Sequence, residues 1–447
     1  MTTHKSDVHA YTLVVGLGMT GLSVVRHLHN LGEPVVVVDS RDIPPALHEF
    51  KQSCPNIPLH TGKFDHKLFT GAHRIVVSPG VPMSEPALKL AQEQGIEISG
   101  DIDLFANEAT APVVAITGSN GKSTVTTLVA LMAEKNGIDV AVGGNIGVPV
   151  LDLLDEPKDL YVLELSSFQL ETLNRLPMIS SVVLNISADH MDRYPDVATY
   201  AMSKQAIYRD TEHAVVNRDD PVVSRMLPAS QKSIGFTLGR PDTGDFGLCV
   251  ADNIEYLCTH DEQLVETSAL KIRGKHNLAN ALAALALGQS IGLPMPAMLQ
   301  ALKQFPGLPH RTQWVAELNG VSWYNDSKGT NVGATLAAIE GLPGKHVLIA
   351  GGQGKGADFS LLAAAVKQRC RALVLIGEDA DKIAAAIEDA VPVEYADTME
   401  SAVKLAAGLA QKGDNVLLSP ACASFDMYQG FEQRGDAFIQ AVQELQS

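Results

Sequence analysis

The chain has 447 residues, of which 46% are hydrophobic and 19% charged, the profile of a globular protein with room for about three domains at ~150 residues each. A formal charge of −17 argues against electrostatic binding to nucleic acid, and no uninterrupted apolar run reaches the ~18 residues that a membrane-crossing helix requires. The five cysteines (Cys54, Cys249, Cys258, Cys370, Cys422) form no C-x-x-C pair and the N-terminus carries no leader pattern, so zinc, a disulfide framework and secretion give way to an expected cytoplasmic location.

Short β-rich apolar runs alternate with longer Ala- and Leu-rich stretches, which predicts parallel sheets covered by helices. The first block opens with the strand YTLVVG. A turn with Gly16, Gly18 and Gly21 in G-x-G-x-x-G spacing follows, then a helix to about Asn30 and the strand PVVVVDS with Asp39. Such a turn brings backbone N–H groups and the positive end of a helix dipole to a diphosphate. Asp39 falls near the position of an acid that meets a ribose hydroxyl, so this block alone reads as an NAD-dependent oxidoreductase. The same geometry serves any diphosphate. Ser40, Arg41 and Ser78-Pro79-Gly80 at the end of RIVVSPG offer a wall for a phosphate or a uracil-linked group.

The second block opens with APVVAITG and runs into Thr117-Gly118-Ser119-Asn120-Gly121-Lys122-Ser123-Thr124, followed by a helix stopped near Gly137. Strand, glycine-containing loop and helix N-terminus in this order cradle phosphate; Lys122 brings a full charge, and Ser123 or Thr124 a hydroxyl for Mg2+. The match to G-x-x-x-x-G-K-[ST] is incomplete, because its first glycine falls at Ile116 and Gly118 stands in a shorter loop. A tight turn with a solvated lysine is the alternative for the G-K-S segment alone; the flanking strand and helix favour a phosphate loop. Glu164 ends the strand LYVLE, as a Mg2+ ligand or as a carboxylate facing water. After SVVLNIS, His190 stands between Asp189 and Asp192-Arg193, a density of ionisable groups that marks a site. Lys204, in the helical stretch Tyr200–Tyr208, is a surface lysine on spacing alone.

The block closes near the hinge-like FPGLPHR, Phe305–Arg311, and the third block carries VSWYNDS, KHVLIAGG, ALVLIGE and NVLLSPA between helical segments. The expected domains are residues 1–104, 105–308 and 309–447. A dehydrogenase leaves the separate nucleoside-triphosphate loop unexplained. A ligase explains both loops, as sites for two phosphate-bearing substrates on two domains. A P-loop binding switch is a further alternative.

Taken in order, GLGMTGLS, DSR, SPGVP, ITGSNGKST, GGNIG, ELSSFQLE, DHMDRY, GKHNLANALAA, GLPHR, NDSKGTN, GGQGK and SPACASFDMYQGFEQRG resemble the Mur ligase family of peptidoglycan synthesis, and within it the members that add D-glutamate. The resemblance covers nearly the whole chain. It implies an α/β fold with three domains in series: a Rossmann-like N-terminal domain, a central P-loop ATPase domain with a mostly parallel sheet, and a Rossmann-like C-terminal domain. It also implies an ATP-dependent ligase with Mg2+, two ions, acting on UDP-N-acetylmuramoyl-L-alanine and D-glutamate; with no heptad run or long apolar edge to suggest obligate assembly, a monomer is expected. ATP phosphorylates the alanyl carboxylate, and the amine of D-glutamate displaces phosphate from the acyl phosphate. The related folyl-polyglutamate ligases share the central ATPase but lack this first domain.

Residue roles follow from the same resemblance. Lys122, His190, Lys204 and Lys328 are the implied catalytic residues. Gly118, Ser119, Asn120, Gly121, Lys122, Ser123, Thr124, Asn145, Asn277, Asn280, Arg311 and Asp326 would hold ATP, with the three asparagines outside the loop on the adenine side. For Asn277 and Asn280, helix capping or exposure is the alternative. Ser123, Glu164, His190 and Lys204, the last as a carbamate, would hold metal. Gly18, Met19, Thr20, Asp39, Ser40, Arg41 and Ser78 would form the UDP site, and Thr330, Lys355, Ser424 and Phe431 the D-glutamate pocket. The D-N-P-R-type motif of the diaminopimelate- or lysine-adding enzymes is absent, while Gln353 and Ala188 depart from residues common in relatives without touching a metal or phosphate position.

Overall fold

Runs of valine, isoleucine and leucine build three sheets, seen in a computed structural model that describes residues 11–228, 231–387 and 390–445. In the first, the strands lie in the order Leu59–Thr61, Val35–Asp39, Thr12–Val15, Arg74–Val77, Glu97–Ser99, all parallel. Strand Thr12–Val15 is buried along its whole length, as a central parallel strand covered on both faces must be. The strand order reverses between Thr12–Val15 and Arg74–Val77. The glycine turn and Ser78–Val81 both leave the sheet at this switch point, where open α/β sheets hold their ligands.

The second sheet has nine strands. Strand Val113–Thr117, third from one edge, is flanked in parallel by Leu160–Glu164 and Met178–Val183. Ile116 pairs with both Glu164 and Val182, so three strands end at one level and their loops converge there. Helices Lys122–Lys135, Lys275–Ser290 and Met295–Gln304 pack over this sheet around one apolar cluster. Strands Phe246–Ala251, Ile254–Thr259 and Gln263–Glu266 add an antiparallel extension that the sequence pattern did not separate.

The third sheet runs Gln313–Leu318, Val321–Asn325, Asn415–Leu418, His346–Gly351, Cys370–Ile376, Val393–Tyr395, parallel apart from its first strand. Each of its faces is covered by helices over a separate apolar cluster.

The two joints between the units differ in chemistry. Leu17, Leu22 and Phe105 of the first unit share a single apolar cluster with Val150, Leu151 and Tyr161 of the second, and Phe105 meets Tyr161 edge-on at 5.0 Å. The helix Asp101–Glu108 belongs to this joint, and the boundary expected at 104/105 falls inside it. The apolar clusters of the third unit draw on its own residues alone. It meets the second unit through polar contacts instead: Arg311 to Ser123 at 2.6 Å, Asn331 to Asp189 at 3.2 Å and Thr312 to His276 at 3.3 Å. Polar contacts exchange readily for water, whereas an apolar joint would expose its surface on opening, so the two joints differ in what separating the units would cost.

Candidate active site

The phosphate loop is shaped by two glycines. Gly118 has φ +149 and packs against the backbone and Cβ of Leu184. Gly121 has φ +86, and a Cβ there would stand 2.3 Å from Asn280 Oδ1. Gly121→Ala combines backbone strain with that clash. We expect it to weaken ATP binding at least ~10-fold while leaving the affinity for the UDP-linked ligand unchanged, as measured by separate titrations of each ligand. Lys122 opens the following helix, and its Nζ donates to Gly118 O at 2.8 Å and Ser119 O at 2.9 Å. Burial holds its ammonium below the usual lysine range.

Around this loop lies a polar cavity of about 270 Å3 that includes Lys122, Ser123, Glu164, His190, Lys204, Arg311, Lys328, Thr330 and Lys355. Glu164 is buried at its strand end; Oε2 accepts from Ser123 Oγ at 2.6 Å and Oε1 from Asn145 Nδ2 at 2.7 Å. Ser123 Oγ also accepts from Arg311 Nη2 at 2.6 Å, which ties the third unit to the loop. His190 adopts the left-handed conformation with φ +56, and its ring meets Phe168 at 4.7 Å. Burial lowers the His190 pKa, which keeps a ring nitrogen free to act as a ligand.

Lys204 overturns the spacing-based reading of a surface lysine. It is 1% exposed in helix Val197–Gln205, with Nζ 3.2 Å from Thr117 Oγ1 and 4.8 Å from the centroid of Tyr200. Burial, reinforced by the nearby Lys122 charge, pushes its pKa well below the lysine range. Its periodicity carried no sign of this, because the burial comes from the loop and strand packed over the helix.

A second cavity of about 300 Å3 adjoins the first through Asn120, Gly121, Arg311 and Lys328. Asn277, Asn280 and Asp326 line it, together with Phe236, Asn217 and Asn185, which sequence reasoning missed because neighbouring strands supply them and no local motif marks them. Asp326 accepts from Ser419 Oγ at 2.7 Å and Thr312 N at 2.9 Å, and burial raises its pKa to about 6. Asn145 is a correction. Expected beside Asn277 and Asn280, it does not line their cavity but lies at Glu164, on the wall between the central cavity and a third one.

That third cavity, about 450 Å3, is lined by Gly16, Gly18, Met19, Thr20, Asp39, Ser40, Arg41 and Ser78 of the first unit, with Asn145, Ser166 and Phe168 of the second. A Cβ on Gly21 would fall 1.9 Å from Gly16 O, so the tight turn admits glycine alone there. Asp39 corrects the dinucleotide reading. Its Oδ2 accepts from Leu17 N at 2.7 Å and Arg41 Nη2 at 2.6 Å, and its Oδ1 from Arg41 N at 2.9 Å and Nε at 2.8 Å. With about four acceptor sites on a carboxylate, none is left for a ribose hydroxyl. Asp39 aims Arg41 into the cavity instead.

In the third unit, Thr330 and Lys355 reach the central cavity. Lys355 sits in a left-handed turn at φ +49, with its Nζ 5.9 Å from the centroid of the exposed Phe425 ring. Lys328 Nζ lies 3.9 Å from the Phe431 ring centroid, and burial lowers its pKa to about 8. Ser424 is buried and its carbonyl accepts from Met427 N and Tyr428 N; neither Ser424 nor Phe431 lines the three cavities. Asn331 was missed, although its position before a helical run is an N-cap signal: Oδ1 accepts from Ala334 N while Nδ2 reaches Asp189 and Asn120.

Three family models match successive parts of the chain: "Mur ligase MurD-like, N-terminal domain" over 10–100, "Mur ligase middle domain" over 116–288 and "Mur ligase, glutamate ligase domain" over 310–422. The chain is 53% identical to the UDP-N-acetylmuramoylalanine--D-glutamate ligase of Nitrosococcus oceani, over 99% of this chain and 98% of that protein. It is 52% identical to the Pseudomonas aeruginosa protein of the same name, over 97% and 98%. Among solved structures, the fold is similar to a pseudomurein peptide ligase type C from Methanothermus fervidus, with TM-score 0.63, 19% identity, and 97% and 100% coverage. It is equally similar to the MurF ligase of Thermotoga maritima in complex with ADP, with TM-score 0.63, 18% identity, and 92% and 96% coverage.

Proposed function

This chain belongs to the Mur ligase family, and from that premise we propose how its three cavities carry out D-glutamate ligation. The enzyme joins the alanyl carboxylate of UDP-N-acetylmuramoyl-L-alanine to the amine of D-glutamate and converts ATP to ADP and phosphate, in peptidoglycan precursor synthesis. One observation carries the placement of substrates: both outer cavities share walls with the central one that holds Lys122. The UDP-linked substrate enters from the first unit with its carboxylate at Asn145 and Ser166. Adenosine lies by Asn277, Asn280 and Asp326, and its phosphates point past Gly121 to Lys122. Lys355 and Thr330 face the same space from the third unit and take the D-glutamate carboxylates.

The chemistry follows from charge. A carboxylate repels an amine nucleophile until it becomes an acyl phosphate, whose phosphate is a good leaving group. Lys122, Arg311 and Lys328 surround the transferring phosphoryl group and offset its charge in a water-poor cavity, where positioning and electrostatics supply most of the rate. At neutral pH, Lys328 with a pKa of about 8 remains mostly protonated for this task.

Among the described residues no three of His, Cys, Asp and Glu gather closely enough to hold a metal by themselves. The donor set fits Mg2+ that arrives with phosphate: a buried carboxylate at Glu164 with no ion-pair partner among the described residues, the Ser123 hydroxyl and the His190 ring. When bound, such ions would neutralise phosphate charge. Lys204 extends the set. Burial favours the uncharged form of its amine, the form that adds CO2 to give a carbamate and a released proton, and the product would be an anionic oxygen ligand in the cavity that also holds Glu164. We further place the domain joints after Glu108 and at Phe305–Arg311, and read the enzyme as a cytoplasmic monomer; no helix among the described residues is long and apolar enough to cross a membrane.

A heavy-oxygen label tests the acyl-phosphate step. Label placed in the alanyl carboxylate is expected to appear in the released inorganic phosphate, one atom per turnover. Label found only in peptide and water would contradict this route.

A further inference from the structure

Arg193 has no role in the assignments above, yet it joins two of the cavities. Its N donates to His190 O at 2.9 Å, closing a turn on which the two side chains stand three residues apart. His190 lines the central cavity. Arg193 reaches the other way, to the first unit, where Nη1 donates to Pro79 O at 3.2 Å and Nη2 to Val81 O at 3.3 Å. Nη2 also pairs with Glu171 at 2.5 Å, and the guanidinium carbon lies 4.4 Å from the Phe168 ring centroid. Phe168 in turn packs against His190 and lines both cavities.

These contacts suit arginine and no other side chain. A planar guanidinium can donate to two carbonyls and a carboxylate while lying on an aromatic face; an ammonium is a point charge that cannot span them. The side chain is 13% exposed, so water does not readily replace the lost bonds. Its targets are the carbonyls of the Ser78–Val81 wall, a turn whose own closing bond is Val81 N to Ser78 O at 3.0 Å.

We propose that Arg193 is a positioning residue that fixes the Ser78–Val81 wall of the UDP-substrate cavity relative to His190 and the phosphate loop, so that the alanyl carboxylate reaches the phosphoryl group in line. This rests on reading the first-unit cavity as the UDP-substrate site.

The test measures kcat and a separate KM for UDP-N-acetylmuramoyl-L-alanine, ATP and D-glutamate in R193A, R193K and E171Q, with melting curves and calorimetric titration of the UDP-linked substrate. In R193A, kcat/KM for that substrate is expected to fall more than about tenfold, with KM for ATP and D-glutamate within about twofold of wild type. R193K should show nearly the same loss, and E171Q, which keeps the two guanidinium–carbonyl bonds, a smaller one. A lowered Tm with all three KM values and kcat unchanged would overturn the proposal. Should R193A not fold, R193K decides: an unchanged ratio of the KM for the UDP substrate to the KM for ATP overturns it. A wild-type protein that binds no UDP-linked sugar by calorimetry would instead remove the reading of the cavity, which separates the two failures.

Discussion

Lys204→Ala is expected to lower turnover by about three orders of magnitude, and short carboxylic acids such as acetate or formate should restore part of the loss. The expectation rests on where the amine lies. It is 1% exposed, its Nζ donates to Thr117 Oγ1, and burial together with the Lys122 charge pushes its pKa well below the lysine range. A charged ammonium at this depth would need an ion-pair partner, and none lies within salt-bridge distance among the described residues. A carbamate makes the side chain anionic and supplies two oxygens to a cavity already rich in Lys122, Arg311 and Lys328. The alanine variant leaves a space of similar length, which a free carboxylate can fill. Assays with and without added carboxylate check the rescue, and heavy-carbon CO2 should give a carbamate resonance in the wild type that the variant lacks. A variant with full activity, or a wild type without the resonance under turnover, would rule the carbamate out.

The second large effect is expected for Lys122→Ala, with kcat reduced about a thousandfold and KM for ATP changed much less. Lys122 Nζ donates to Gly118 O and Ser119 O, two carbonyls of its own loop. Phosphate oxygens are stronger acceptors than carbonyls, and the ammonium charge is expected to count most as the phosphoryl group transfers. Adenosine contacts at Asn277, Asn280 and Asp326 remain in the variant, so binding persists while transfer fails. Steady-state kinetics with a parallel nucleotide titration separates the two. A raised KM for ATP with kcat unchanged would assign Lys122 to ground-state binding instead.

What the sequence disclosed, and what it concealed, follows from the range of the interactions. The phosphate loop was legible because strand, glycine turn and helix N-terminus are consecutive, and their chemistry is local. Glu164 was legible as a strand end, since equal strand lengths in register with Ile116 bring it to the loop. The family resemblance supplied Lys204, whose burial depends on a helix packing beneath a loop that begins 87 residues earlier at Thr117. Asn145 was assigned to the adenine side, and only the pairing of Gly144 with Glu164 across neighbouring strands reveals its place. The glycine turn and Asp39 pointed to a dinucleotide, because spacing cannot show that the carboxylate is already filled by Leu17 and Arg41. Arg193 sat within a quoted motif, but its partners at Pro79 and Val81 lie more than a hundred residues away.

The polar joint before the third unit gives these residues a common purpose. Lys355, Thr330 and Arg311 reach the central cavity from the third unit, and the bond from Arg311 to Ser123 ties that unit to the loop. Release of phosphate should therefore depend on an amino acid that completes the third-unit side of the cavity.

Phosphate release from ATP in the presence of UDP-N-acetylmuramoyl-L-alanine, with D-glutamate, L-glutamate, L-alanine and diaminopimelate supplied in turn, is the most direct test of the central claim. Release that requires both the UDP-linked substrate and D-glutamate, with one peptide product per phosphate, is the predicted result. Release that ignores the identity of the amino acid, or that proceeds with diaminopimelate in place of D-glutamate, would contradict it.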